Sequence, residues 1–547
     1  MNGLVTVVLV ASFGQILEAV ELAVEADRTY DADKFHKVSK FKVPIDPGDR
    51  NEASSTYWNH QAQKTLWEKL NEDRIDRKPK NIIFFVADGM SATTITATRM
   101  YLGNENVRLS FEEFPHVALT KTYCVDNTVP DSSCTATAFM SGVKTRKGMI
   151  NVGPGVERSN CDYNRAEHEF KGLFKWAQDA GKLTGVVTTT RITHVTPAAA
   201  YSSVADREWE HDGVLLDSGC DPQKYPDSAQ QLVHGDVGKK LRVALGGGRA
   251  NFLPQAALDE ESLPGKRRDG RNLIDEWKRV HEGNRTHYVW NKQALKGIDL
   301  KNTDYLLGLF DSDHFLYSLQ IDERKLGDSK PKLPELVEAA IGVLANKSED
   351  GYVLFVEGGM IDIAHHYSWA RLALQETVDF ERAIELARSM TSEEDTLIVV
   401  TSDHGHAFFF NGNTVRGQDI LGVANISEVD GLPYTTLGYA VGDGYFVHHK
   451  DPNRTQRVDL NTLNFNPIDF KWPTTFPMIS SPHSGEDMIV YASGARGHLF
   501  SGVIEQNVLP ELIAYAAEIG NYRSKSTSIA TGLQLLLLST ILGLVLQ

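Results

Sequence analysis

Asn81-Ile82-Ile83-Phe84-Phe85-Val86-Ala87-Asp88-Gly89 is an unbroken apolar run closed by an aspartate and a glycine. A run this short, rich in branched and aromatic side chains, reads as a strand buried on both faces. The pattern recurs along the chain. Residues 352–356 end in Glu357-Gly358-Gly359, and residues 396–402 end in Asp403-His404-Gly405-His406. Residues 185–190 run into Arg191 and His194, and residues 242–245 into Gly246-Gly247-Gly248-Arg249. Helical stretches such as 170–180 and 333–344 lie between these runs. The alternation predicts an α/β fold with a central, mostly parallel sheet flanked by helices. Ligands of such sheets sit beyond the carboxyl ends of the strands. Asp88, Glu357 and the Asp403-His404 pair are therefore aimed at one place.

The chain has 547 residues, of which 41% are hydrophobic and 23% charged, the balance of a large globular enzyme. A formal net charge of −16 argues against a nucleic-acid partner. An anionic substrate would need local cations or metal ions to draw it in.

Residues 1–20 read as a secretory leader: the run 1–16 is apolar and too short to span a bilayer, with a cut between about Gly14 and Ala26. Residues 21–80 read as a polar N-terminal arm with a helical patch at 57–70, and residues 81–407 as the α/β core expected to carry the catalytic groups. Residues 408–480 are rich in Gly, Asn and short strand-like pieces such as 434–441, and read as an insertion over one end of the sheet. Residues 481–523 complete the core, with helical sequence returning at 504–519.

In the final segment, 524–547, the stretch 529–546 is mostly apolar and follows small polar residues. It reads as a GPI-attachment signal with Asn521, Ser524 and Ser526 as candidate anchor sites; a single-pass helix is the alternative. Asn284, Asn346, Asn425 and Asn453 stand in glycosylation triplets, and four cysteines (Cys124, Cys134, Cys161, Cys220) would be free to oxidise outside the cell.

Asp131-Ser132 leads into small residues that can continue as a buried helix. Ser132 would sit near the helix N-terminus, where free N–H groups and the macrodipole attract an anion. Asp362 and His366, spaced i, i+4, share a helix face; with His483 they make an open zinc site. Asp88, Asp403 and His404 make a second, its open position facing the Ser132 oxygen. Glu357, Thr196 and the far oxygen of Asp88 are hard donors suited to magnesium. Arg207 offers a planar fork for two phosphoryl oxygens; alone, it would read as a surface ion pair with Asp206 or Glu208.

Residues 85–90, 129–137, 188–197, 357–366, 403–406 and 483–487 resemble, in order, the motifs of the alkaline phosphatases of the animal, GPI-anchored type. The resemblance runs from about Trp58 to Ala517. It implies hydrolysis of phosphate monoesters at alkaline pH through a phosphoserine on Ser132, with two zinc ions and one magnesium ion. Asp362, His366 and His483 resemble the ligands of the first zinc, and Asp88, Asp403 and His404 those of the second. Asp88, Thr196 and Glu357 resemble the magnesium ligands. His194, His365 and His406 stand beside these ligands, and Arg207 resembles the phosphate-binding arginine.

The resemblance further implies a Cys161–Cys220 disulfide, leaving Cys124 and Cys134 to pair or stay free. It implies a homodimer embraced by the N-terminal arms, a crown formed by the insertion, and a place on the outer face of the plasma membrane. A calcium site would map near Glu261, Phe310 and Asp311, its last acidic ligand near Asp328. Ile363 departs from the pattern, standing where vertebrate relatives carry His; Cys134 also departs, two residues after the nucleophile. A phosphodiesterase of this fold would use Thr as nucleophile and lack the magnesium cluster, a sulfatase would need a formylglycine motif, and a dead receptor would have lost a ligand.

Overall fold

The computed structural model describes residue 52 and residues 54–523, apart from 346, 413 and 451–455. The expected leader, the anchor tail with Ser524 and Ser526, and the triplets at Asn346 and Asn453 lie outside the described residues.

Ten strands form the main sheet: β1 (Asn81–Ala87), β2 (His116–Lys121), β3 (Leu183–Arg191), β4 (Val243–Gly247), β5 (Thr286–Val289), β6 (Tyr305–Leu309), β7 (Tyr352–Gly358), β8 (Thr396–Ser402), β9 (Met488–Gly494) and β10 (Gly502–Glu505). Their spatial order is β10-β2-β9-β8-β1-β7-β3-β4-β6-β5, and only β9 runs against its neighbours. Side chains alternate across a strand, and β1 divides accordingly. Ile82, Phe84 and Val86 enter one core, Ile83, Phe85 and Ala87 the other.

Helix α1 (Ser55–Leu70) precedes the sheet. The first core is covered by α2 (Ser132–Ser141), and the second by α3 (Leu333–Leu344), α4 (Met360–His366) and α5 (Ala370–Met390). Helix α6 (Leu509–Ala517) joins the first. The expected helical return at 504–519 begins instead as β10. Gly502, at φ +77°, bends the chain, branched Val503 and Ile504 extend beside β2, and Pro510 starts α6.

Register places the site. Ala87 lies opposite Gly358 on one side and Ser402 on the other. Asp88 and Asp403, each one residue further on, emerge side by side. Glu357 is still inside β7, between Val86 and Thr188. Between β8 and β9 the chain leaves the sheet for strands Phe408–Phe410, Leu437–Gly442 and Thr474–Pro477, and a smaller pair, Val423–Ile426 and Pro433–Thr435. The expected piece at 434–441 is thus two strands. Phe408, Leu437, Tyr439 and Trp472 pack there against Ala370 and Leu374 of α5. Asn425 is only 8% exposed on its strand, whereas Asn284 is exposed.

Both cysteine pairs are joined, Cys161–Cys220 and Cys124–Cys134. No residue of α1 is buried, and Trp58, Leu66, Trp67 and Leu70 face outward.

Glu376 of α5 is buried beside Asp379, and its carboxylate accepts from the Ser318 N–H at 2.6 Å. Burial, reinforced by Asp379, pushes its carboxyl up from 4.5 to about 8. Below pH 4.5 both folded and unfolded chains hold this proton; above it only the folded chain does, so stability falls as pH rises until about 8. Glu376→Gln cannot ionise. It should gain on wild type by about 1.4 kcal/mol per pH unit across that window, measured as denaturation midpoints at several pH values.

Candidate active site

Ser132 is the first residue of α2, whose residues are all buried. The N-cap is Asp131, which accepts the Cys134 N–H at 3.2 Å, so the serine is free of capping duty. Its Oγ lies 3.1 Å from His404 Nε2 and donates toward Asp88 Oδ2 at 3.2 Å. The N-terminal end of the helix macrodipole adds positive potential at this position.

Asp362 and His366 sit one turn apart on α4, with His366 Nε2 3.3 Å from the Asp362 carboxylate. His483 Nε2 is 3.1 Å from His366 Nε2 and 3.5 Å from Asp362 Oδ1. Each ring is oriented by a carbonyl. His366 Nδ1–H donates to Ser481 O at 2.7 Å, and His483 Nδ1–H donates to Pro130 O at 2.9 Å. In the neutral rings both Nε2 lone pairs then face each other beside a carboxylate, an arrangement that calls for a shared cation. His406 joins this group, donating from Nε2 to Asp362 Oδ1 at 2.5 Å.

Asp88, Asp403 and His404 form a second buried group, with His404 Nε2 3.2 Å from Asp403 Oδ2 and 3.4 Å from Asp88 Oδ1. The third contains Asp88, Glu357 and His194. Thr196 Oγ1 reaches Asp88 Oδ2 at 3.4 Å. Thr188 and Thr190, successive residues on one face of β3, donate to Glu357 Oε2, Thr190 at 2.9 Å. Glu357 Oε1 and His194 Nδ1 are buried with no hydrogen-bond partner among the described residues.

Burial raises the carboxyl of Asp88 well above its usual range, with Asp403, Asp362 and Glu357 adding to the push. Burial likewise raises Asp403, and brings Glu357 to about 7. Asp362 behaves oppositely. Burial would raise it, but His366 and His406 hold it well below its usual range. Crowded carboxylates, opposed imidazole lone pairs and orphaned donor atoms fit divalent cations.

Arg207 keeps a surface ion pair with exposed Glu208, Nε lying 3.6 Å from Oε1, but its closer partner lies inward. It donates to Asp131 Oδ2 at 2.9 Å and lies 3.4 Å from His194 Nε2, while Asp206 is taken by Arg158 and Ser159. Burial would raise the Asp131 carboxyl; Arg207 and the Ser133 hydroxyl hold it below its usual range. No local spacing signals this link between the arginine and the neighbour of Ser132. His365 stands apart from the donor groups. Its Nε2 meets Thr94 Oγ1 at 3.0 Å and its Nδ1 the Tyr439 hydroxyl at 2.8 Å, which ties the insertion to the core. Ile363, partly buried, packs on the second core.

Glu261, Phe310 and Asp311 are also brought together, but around an ammonium group. Lys330 Nζ lies 2.7 Å from Glu261 Oε1 and from Phe310 O, and 2.6 Å from Asp311 Oδ1. Asp328 is exposed.

A serine at a buried helix N-terminus, ringed by imidazole and carboxylate donors beyond the ends of parallel strands, defines a metal-dependent hydrolase. Comparison with known proteins narrows this to one family. The family model for alkaline phosphatase matches residues 79–519. The chain is 39% identical over 506 residues to the membrane-bound alkaline phosphatase of Bombyx mori, covering 90% of each chain. It is 40% identical over 487 residues to the tissue-nonspecific isozyme of Homo sapiens, covering 86% of this chain and 90% of that one. Among solved structures, the alkaline phosphatase of the Antarctic bacterium TAB5 aligns with a TM-score of 0.54 at 20% identity, covering 82% of this chain and 100% of that one. That of Thermus thermophilus aligns at 0.56 and 23%, covering 83% and 94%. These two bear on the fold alone. The chain belongs to the alkaline phosphatase family, and it is a hydrolase of phosphate monoesters that uses divalent metal ions.

Proposed function

We propose that Ser132 is the nucleophile and becomes phosphoserine, with zinc held by Asp362, His366 and His483 and by Asp88, Asp403 and His404, and magnesium by Asp88, Thr196 and Glu357. The observation that carries this reading is the Ser132 oxygen, set at a helix N-terminus between His404 Nε2 and Asp88. When bound, the ions supply Lewis-acid charge that polarises the phosphoryl oxygens and lowers the pKa of oxygens beside them. The Ser132 oxygen attacks phosphorus in line, the bond to the alcohol oxygen breaks, and water then attacks the phosphoserine to release phosphate and restore the hydroxyl. Both attacking oxygens must lose a proton, so turnover rises into the alkaline range. His406 and the Ser481 and Pro130 carbonyls keep the donors oriented.

Arg207 forks two phosphoryl oxygens while Asp131 holds its guanidinium in place. Arg207→Ala should lower turnover and weaken inhibition by inorganic phosphate at least roughly 10- to 100-fold, the equivalent of losing one charge-assisted bond of about 1.5–3 kcal/mol. Steady-state kinetics with phosphate as inhibitor checks this, and Arg207→Lys should fall between the two.

The enzyme works as a homodimer on the outer face of the plasma membrane, held by a GPI lipid near residues 521–526. The outward-facing Trp58, Leu66, Trp67 and Leu70 of α1 support pairing with a second copy. No helix among the described residues is long and apolar enough to cross a membrane. Phosphatidylinositol-specific phospholipase C should release active enzyme from membranes; activity that stays behind together with an intact C-terminal peptide would contradict the anchor.

A further inference from the structure

We propose that Lys330 is a built-in cation that stands in for calcium in the lobe formed by Glu261, Phe310 and Asp311, so that the chain neither binds nor needs calcium there. The three oxygens expected to ligate the ion all turn to the Lys330 ammonium, at 2.6–2.7 Å. An ammonium has three N–H donors and no acceptor. Glu261 Oε1, Phe310 O and Asp311 Oδ1 satisfy all three. Calcium gathers six to eight oxygens at roughly 2.3–2.6 Å; here the nitrogen itself occupies the centre of the donor set.

The lysine is not a loose side chain that an ion could push aside. It is buried on the loop before α3, and its backbone N–H donates to Leu326 O at 2.9 Å. Lys292 pins the same loop twice, from its N–H to Ser329 O at 2.8 Å and from Nζ to Gly327 O at 2.6 Å. The far side of the donor set is closed as well. Fully buried Arg249 donates to Glu261 Oε2 at 2.5 Å and to Asp259 Oδ2 at 2.9 Å. Both oxygens of Glu261 are therefore committed to cations of the chain. A divalent ion entering here would face two positive side chains at close range, with no free oxygen left on Glu261.

The test is thermal unfolding of the metal-loaded enzyme with and without added calcium, alongside equilibrium dialysis against radioactive calcium. Wild type should show no calcium-dependent shift in unfolding temperature and no calcium uptake that Glu261→Gln removes. Lys330→Gln leaves Asp311 without its ammonium partner and Glu261 with Arg249 alone, and should unfold several degrees lower. Lys330→Asp, which trades the ammonium for an oxygen donor, should unfold lower still and recover on addition of calcium. Catalytic turnover need not be read. Calcium uptake by wild type that Glu261→Gln abolishes would overturn the proposal, as would a Lys330→Gln variant as stable as wild type. Neither of these results depends on the aspartate variant folding, and neither would touch the assignment of the active site.

Discussion

Ser132→Ala should lower phosphomonoester turnover by about 10⁴-fold, the scale on which removal of a covalent nucleophile acts. The protein should otherwise be intact. The cap of α2 is the Asp131 carboxylate, which keeps its bonds to the Cys134 N–H and to Arg207. Alanine at the first helical position is well tolerated. Of the donor residues only His404 and Asp88 lose a contact, the one each makes with the Ser132 hydroxyl. Metal content and unfolding temperature should therefore stay near wild type while the phosphoenzyme disappears. Substantial turnover by this variant would remove Ser132 from the chemistry.

Withdrawal of the metal ions should abolish turnover and lower the unfolding temperature together. Asp88, Glu357, Asp362 and Asp403 are all at most 4% exposed and lie in adjoining groups. Two like charges about 4 Å apart repel by about 4 kcal/mol at an effective dielectric constant of about 20. Arg207, already paired with Asp131, cannot offset the whole cluster. Ligand binding stabilises a fold by about 4 kcal/mol per site at roughly a thousandfold excess over the dissociation constant, so the loss should be large. Asp88 belongs to two of the groups. Asp88→Asn should thus cost more metal than His483→Ala, which touches one group. Metal analysis of the two variants, with zinc and magnesium added back to chelated wild type, distinguishes a metal centre from a purely structural cluster.

The strands that carry the site were readable because a parallel sheet buried on both faces demands continuous apolar runs. β1 and β8 end where the residues 81–87 and 396–402 end. β2 was not readable in this way. His116 to Lys121 alternates buried and exposed residues near the sheet margin, and its polar positions mask the strand. β9 runs antiparallel and carries no functional group at its end to mark it. The metal donors could be grouped because local spacing, as in Asp362 and His366, is preserved on a helix face.

What depended on distant segments could not be seen. Arg207 meets Asp131 across 76 residues of chain, and Lys330 reaches Glu261 and Phe310 from a separate loop. Local sequence around Arg207 offers Asp206 and Glu208 as nearer partners, and only the fold shows that Arg158 and Ser159 have claimed Asp206. The Thr188 and Thr190 hydroxyls on Glu357 had a readable signal, two threonines on one face of a strand that neighbours it. The burial of Asn425 had none.

The account turns on one covalent bond, between the Ser132 oxygen and phosphorus. The direct measurement is peptide mapping of the enzyme quenched in acid during turnover of a phosphomonoester. The account predicts phosphate on the peptide that contains Ser132, at that residue, and none in Ser132→Ala. Phosphate on Ser133 or Thr135, or no covalent phosphate under conditions where acid traps the intermediate, would contradict it.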